Sequence, residues 1–283
     1  MLVNVTPVKT RDFRWDVTLN FTKNWSKVVS LPEELGGETS IYGLNGGTSM
    51  YAIVGEPLGT FKGEVAVTDP EGRIVVDPKT GFAVRDTEFK ILGDMNNRYQ
   101  MGLSTMLSYK GVSLSADFDI RRGGVMYSKT KNTMFFTGNA IQTAYNDRNP
   151  FIIPNSVNMV ENPDGSISYV ENTTPVSSMD ICNYYYGQTG GINGEIDLID
   201  KSYVKLRSIV LSWDMPKKWF TKTPLQGVKI SAYGNNLFVW TPSDNTYIDP
   251  ETTSLGNDLY GNYGEFGSNP SSRNFGINLN VKF

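Results

Sequence analysis

Residues 98–122 read RYQMGLSTMLSYKGVSLSADFDIRR, and this stretch decides the fold. Ahead of Lys110-Gly111, Tyr99, Met101, Leu103 and Leu107 share one face with Thr105 and Tyr109. Arg98, Gln100, Gly102, Ser104 and Ser108 occupy the other face. Beyond it, Val112, Leu114, Ala116, Phe118 and Ile120 alternate with Ser113, Ser115, Asp117, Asp119 and Arg121. Period two on both sides of a tight turn describes a β-hairpin with one apolar and one polar face. Residues 12–22 repeat the pattern, with Phe13, Trp15, Val17, Leu19 and Phe21 on one side. The last eleven, RNFGINLNVKF, place Phe275, Ile277, Leu279, Val281 and Phe283 together.

Two further strands are less regular. In 203–213, Val204 and Leu206 give way to Ile209, Leu211 and Trp213, a change of phase that predicts a β-bulge near Ser208. In 227–239, Gly234 and Asn236 stand where apolar residues are expected. Continuous helical amphipathicity is absent. Only MPKKWF, 215–220, predicts a turn of helix, with Asp214 as its cap and Pro216 inside. The connections alternate in length: a tight turn at Lys110-Gly111 and a moderate link between 213 and 227, against long Gly-, Pro-, Asn- and Asp-rich segments at 23–97, 123–202 and 240–272. Structureless loops beyond about 15 residues are uncommon in compact domains. Short turns alternating with long loops are the habit of outer-membrane barrels.

Composition narrows the functional classes. With 26 Lys+Arg against 29 Asp+Glu in 283 residues, there is no basic excess to displace phosphate counterions, so no nucleic-acid partner is expected. The chain has no histidine, which removes Ser-His-Asp and Cys-His nucleophile systems and His-ligated zinc. Its one cysteine, Cys182, cannot form an internal disulfide or a multi-thiolate site. The acidic pieces TDPEG, NPDGS and DNTYIDPE lack the spacing of a calcium loop, and GNYGEFG lacks the lysine and context of a phosphate loop. No catalytic set, metal or cofactor is expected. No run of about 18 apolar residues exists, and MLVNVTPVKTRDFRWD has no apolar signal core. A barrel evades the first of these tests, because its strands are short and alternating. The alternative all-β reading is a soluble carbohydrate-binding β-sandwich whose apolar faces form its core.

Several segments in order resemble one family. YVKLRSIVLSWDMPKKW, GVKISAYGNNLFVWT, IDPE and NFGINLNVKF are similar to the C-terminal barrel of SusC/RagA-type TonB-dependent transporters of the bacterial outer membrane. TPVKTRDFRWDVTLNFTKN, VGEPLGTFKGE and YQMGLSTMLSYKGVSLSADFD extend the likeness upstream, with 123–200 the least matched part. The resemblance implies an all-β, antiparallel transmembrane barrel segment with long extracellular loops. It implies that residues 1–283 are the C-terminal portion of a longer transporter, with plug and N-terminal modules absent. The implied function is import of oligosaccharides or peptides with a SusD-like surface lipoprotein, driven by the TonB complex through the missing part.

Candidate residues follow from the faces. Arg14, Asp16, Asp117, Asp119, Arg121 and Asn278 lie on polar strand faces and are expected to line the lumen. Strand-end aromatics, among them Trp15, Tyr99, Trp213 and Phe283, fit interfacial girdles against outer-membrane lipid. Tyr184, Tyr185, Tyr186, Trp240, Tyr247, Tyr260, Tyr263 and Phe266 lie in Gly/Asn-rich segments, where flat rings suit sugar faces or a partner lipoprotein; packing of loop on loop is the plainer role. Phe283, closing an alternating strand, resembles the signal read by the barrel-assembly machinery.

Overall fold

The computed structural model describes the chain except residues 44–46, 177–180, 187–192, 246 and 257, and the side chains of 183, 186, 193 and 195. Seven strands form one antiparallel meander in chain order: β1 (Leu2–Lys9), β2 (Phe13–Thr22), β3 (Tyr99–Tyr109), β4 (Val112–Arg122), β5 (Tyr203–Asp214), β6 (Gly227–Trp240) and β7 (Asn274–Lys282). The three short connections lie at one end of the sheet and the three long ones at the other. At the β3–β4 turn Tyr109 pairs with Val112, and Lys110 and Gly111 both have positive φ (47° and 85°), as a two-residue hairpin turn with the twist of its strands requires.

Register carries the alternation across the sheet. Trp15 faces Leu107, then Leu114, Leu211, Ala232 and Ile277 follow on successive strands, so one apolar row runs over six strands. The expected bulge is present. Leu206 pairs with Phe118 and Ser208 with Asp117, leaving Arg207 as the extra residue. Without it, Ile209, Leu211 and Trp213 would turn to the polar side. On β6 the partners step from Phe238 to Asn235 at the same level, with Asn236 at φ 53°, which explains the misplaced Asn236; Gly234 stays on the apolar face, opposite Ile209 and Phe275.

Among the described residues, no second layer covers the apolar face. Ile277 is 80% and Leu211 52% exposed, whereas a sandwich would bury both. Aromatics gather at the two ends of this face: Trp15, Tyr109 and Trp213 near the short turns, Phe21, Tyr99 and Trp240 near the long connections. Trp15 satisfies its indole N–H on this face by donating to Thr105 Oγ1 at 2.9 Å.

The buried cores lie in the long connections instead. Three small sheets form there: Glu38–Gly43, Thr48–Ile53, Thr60–Gly63 and Lys90–Asp94; Ile167–Glu171, Ser156–Glu161 and Ile74–Val76; and Leu198–Asp200, Val125–Ser128 and Gly264–Glu265. One core unites all three connections, with Met50 and Phe61 from the first, Tyr127 and Leu198 from the second and Tyr263 from the third. A second core holds Val76 and Phe82 with Phe151, Ile153, Val176 and Ile181. The long connections are therefore a folded cap, more structured than their turn-rich composition suggests.

Three local readings need correction. Strand β1 was not expected, because Pro7 and a register shift between Val5 and Val8 break its alternation. Asp214 is the last residue of β5; the turn that follows is a short 3-10 helix, Lys217–Trp219, preceded by Pro216 and lacking a side-chain cap bond. Helix α1 (Lys129–Phe136) carries no apolar stripe and was invisible to periodicity; Ser128 Oγ caps it by accepting from Lys131 N at 3.0 Å.

Candidate functional site

The polar face of β4 and β5 meets the third long connection in one charged network. Lys205, paired opposite Asp119, is 4% exposed, so its ammonium must be neutralised locally. Asp249 and Glu251 of the IDPE segment supply that charge: Lys205 Nζ donates to Asp249 Oδ1 at 2.5 Å and also bonds Glu251 Oε2. Arg207, the bulge residue, bonds Asp119 Oδ2 and Glu251 Oε1. The Tyr203 hydroxyl lies 3.0 Å from Asp119 Oδ2 and 2.8 Å from Glu251 Oε1. Burial alone would raise the Glu251 carboxyl, but donors from Arg207, Lys205 and Tyr203 outweigh it and hold it at about 2. The network latches the third connection down onto the wall.

Beside it, Arg121 lies over the Tyr203 ring, 5.1 Å from its centroid. With the Gln100 amide turned so that its oxygen accepts, Arg121 donates to it at 3.1 Å. Ser208 Oγ donates to Asp117 Oδ2 at 2.6 Å. A cavity of about 240 Å³ opens next to the latch, walled by Arg121, Lys201, Glu251, Asp258 and Asn262. Lys201 is 5% exposed; burial first, and the Arg121 charge second, lower its ammonium to about 8.

Deeper in the cap, Glu265 ties the third connection to the second. It is fully buried and accepts from Ser128 Oγ (2.7 Å), Thr130 N (2.8 Å), Thr130 Oγ1 (2.8 Å), Gly267 N (2.9 Å) and Ser268 N (3.3 Å). Nearby, Asp197 takes the Asn132 amide at 3.1 Å on both oxygens. Burial pushes the Asp197 carboxyl up to about 7, against the pull of Asn132, Lys131 and Lys129.

The candidates chosen by sequence separate on this map. Asp117, Asp119 and Arg121 stand side by side on the polar face of β4: Asp119 enters the latch, Arg121 flanks it on Tyr203, and Asp117 accepts from Ser208. Arg14 and Asp16 share that face near the short turns but pair with each other at 2.6 Å. Asn278 is exposed on β7 opposite Ser231, away from the network. Among the aromatics, Tyr263 is a correction: it is fully buried, stacks on Phe61 and Tyr127, and donates to Thr48 O at 2.8 Å, so its ring cannot meet a ligand. Trp240 is also corrected, since it ends β6 on the apolar face, stacked on Phe238 at 5.7 Å. Tyr184 packs edge to face against Phe151 and Tyr185, and Tyr185 stacks on Phe135. The Tyr186 side chain lies outside the described residues. Tyr247 bridges two connections, accepting from Ile141 N at 3.0 Å. Tyr260 stays 46% exposed, 5.1 Å from Tyr42.

Sequence reasoning missed Lys205, Arg207, Glu251, Lys201 and Glu265. The phase change at Ser208 was the one local signal pointing toward Arg207.

The comparisons with known proteins agree with this geometry. No family model matches the chain. TonB-dependent receptor P3 of Formosa agariphila is 25% identical over 99% of the chain, and TonB-dependent receptor P26 of the same organism is likewise 25% identical over 99%. By sequence, the chain is TonB-dependent-receptor-like throughout. It spans 28% of the length of these two relatives. A structure of the RagAB peptide transporter aligns over 98% of the chain and 28% of its own, with TM-score 0.64 and 18% identity. The open-open state of the RagAB peptide importer aligns over 100% and 28%, with TM-score 0.62 and 19% identity. The fold is thus that of an antiparallel β-barrel wall segment, as the SusC/RagA resemblance implied.

Proposed function

We propose that the chain is the C-terminal portion of an outer-membrane, TonB-dependent importer. Its seven strands form lipid-facing wall and polar lumen lining, and its long connections form the extracellular cap. The observation that carries this reading is the uncovered apolar face bounded by aromatics at both ends. Trp15 and Phe21 lie six residues apart, about 20 Å of strand. That is close to the apolar band of outer-membrane barrels, about 25 Å. On this reading Arg14, Asp16, Asp117, Asp119, Arg121 and Asn278 face the lumen, and Phe283 ends the strand read during assembly. The cap meets a SusD-like surface lipoprotein, Tyr247 and Tyr260 being the candidate rings outside its cores. The TonB complex acts through sequence beyond this segment. The cargo is an oligosaccharide or a peptide, and the RagAB likeness adds weight to the peptide.

The test is detergent dependence. Washed membranes of cells making the receptor should retain it until detergent is added, and the extracted protein should run faster unheated than boiled. Quantitative release in plain buffer as a folded, monodisperse monomer would refute the membrane reading and favour the soluble sandwich.

A further inference from the structure

The charges of the polar face do not balance at every point. Glu251 has both oxygens engaged by Lys205 and Arg207, and Asp119 is held by Arg207. Arg121 and Lys201 have no ion-pair partner among the described residues; Arg121 is placed by Tyr203 and Gln100. The Lys201 ammonium makes one long hydrogen bond, 3.4 Å to Met95 O, although the residue is 5% exposed. Both cations wall the same cavity of about 240 Å³, and the Arg121 charge disfavours that of Lys201, with only the more weakly felt Asp94 opposing it. Asp258, at the rim, accepts from Gly261 N at 3.2 Å. Two cations held together in a walled space, one of them buried, keep donors free that packing alone would require to be satisfied.

We infer that Arg121 and Lys201 form an anion subsite that binds a carboxylate of the imported molecule. The proposal rests on the import reading and adds the charge class of the cargo. A guanidinium braced against a ring and a neighbouring ammonium present a planar donor set and a point charge, and a carboxylate satisfies both. Two cargoes carry this group: a peptide through its free C-terminus, and an acidic oligosaccharide through its uronates.

The test uses the detergent-solubilised receptor containing this chain and four probes in calorimetric titration: pentaalanine as free acid and as C-terminal amide, and trigalacturonate as free acid and as methyl ester. Expected is a preference of about tenfold or more for one acid over its neutral partner, from loss of charge-assisted hydrogen bonds. The peptide pair or the sugar pair showing it identifies the source. Arg121→Gln and Lys201→Gln, each checked for unchanged heat-modifiable mobility, should each shrink that preference toward unity without weakening the neutral probe. Equal binding of acid and neutral forms, failure of both acids to bind, or a preference that survives both substitutions overturns the subsite. None of these results bears on membrane residence, which detergent dependence decides separately.

Discussion

Glu265→Gln isolates what holds the cap together. The substitution preserves shape but turns one acceptor oxygen into a donor. All five groups around Glu265 donate to it: the hydroxyls of Ser128 and Thr130 and the backbone N–H groups of Thr130, Gly267 and Ser268. Hydroxyls can rotate and accept; backbone N–H groups cannot. With the new NH2 at the Oε2 position, Gly267 and Ser268 both lose their acceptor; at Oε1, only Thr130 N does. The amide takes the second orientation, leaving one unsatisfied backbone donor at about 1–3 kcal/mol. Opening of the joint between α1 and the Gly264–Glu265 strand should therefore become roughly 5- to 150-fold more frequent. Hydrogen exchange followed by mass spectrometry on the detergent-solubilised receptor reads this directly. Peptides covering 129–136 and 264–268 should lose protection by that factor, while those covering 203–214 should not change. Unaltered exchange in both cap peptides would show that Glu265 does not hold the joint, and a uniform loss that reached β5 would show that cap and wall do not open separately.

Leu279→Arg, on the apolar face of β7 opposite Ile230, should destabilise the barrel by about 2–4 kcal/mol if that residue sits mid-membrane, whereas Asn278→Arg on the polar face should be far milder; equal loss of heat-modifiable mobility would reverse the face assignment. The cap should gain stability as pH falls. Asp197 holds its proton up to about 7 in the folded chain, whereas an unfolded aspartate releases it near 4 (about 3.9). The gain therefore grows as pH drops through that window and is lost as pH rises through 7. Asp197→Asn should flatten this dependence in exchange measured at pH 5 and 8. Phe283→Ser should lower the outer-membrane yield of the full receptor, normalised to synthesis, more than it lowers the stability of the assembled barrel; unchanged yield for this variant and for deletion of β7 would leave the C-terminus without an assembly role.

The wall was legible because its rule is local. In β2, β3, β4 and β7 each residue's face follows from its neighbours two positions away, so period two survives without knowledge of the rest of the chain. Where the rule failed, the backbone itself was irregular. Pro7 hid β1, while the break at Ser208 still announced its bulge, because the apolar residues resumed in the opposite phase. The cap obeys no such rule. Its main core draws Met50, Tyr127 and Tyr263 from three separate connections, and α1 owes its start to Ser128 together with Glu265, 137 residues further along the chain. Turn-rich composition described these segments one at a time and could not show that they close on each other.

The same distinction sorts the charges of the polar face. Arg14 and Asp16, two residues apart on one strand, satisfy each other, a pairing between same-face neighbours. Lys205 and Arg207 find their carboxylates 44 to 46 residues away in IDPE, so the motif was visible while its purpose as a latch was not. Arg121 and Lys201 form a third class. Lys201 is buried as deeply as Lys205 and Arg121 is half-buried beside it, yet no described carboxylate pairs with either. A latch explains cations that are paired and a solvated lumen explains cations that are exposed. A buried lysine held beside an arginine in a walled cavity fits neither description, and an incoming carboxylate is what would complete its coordination.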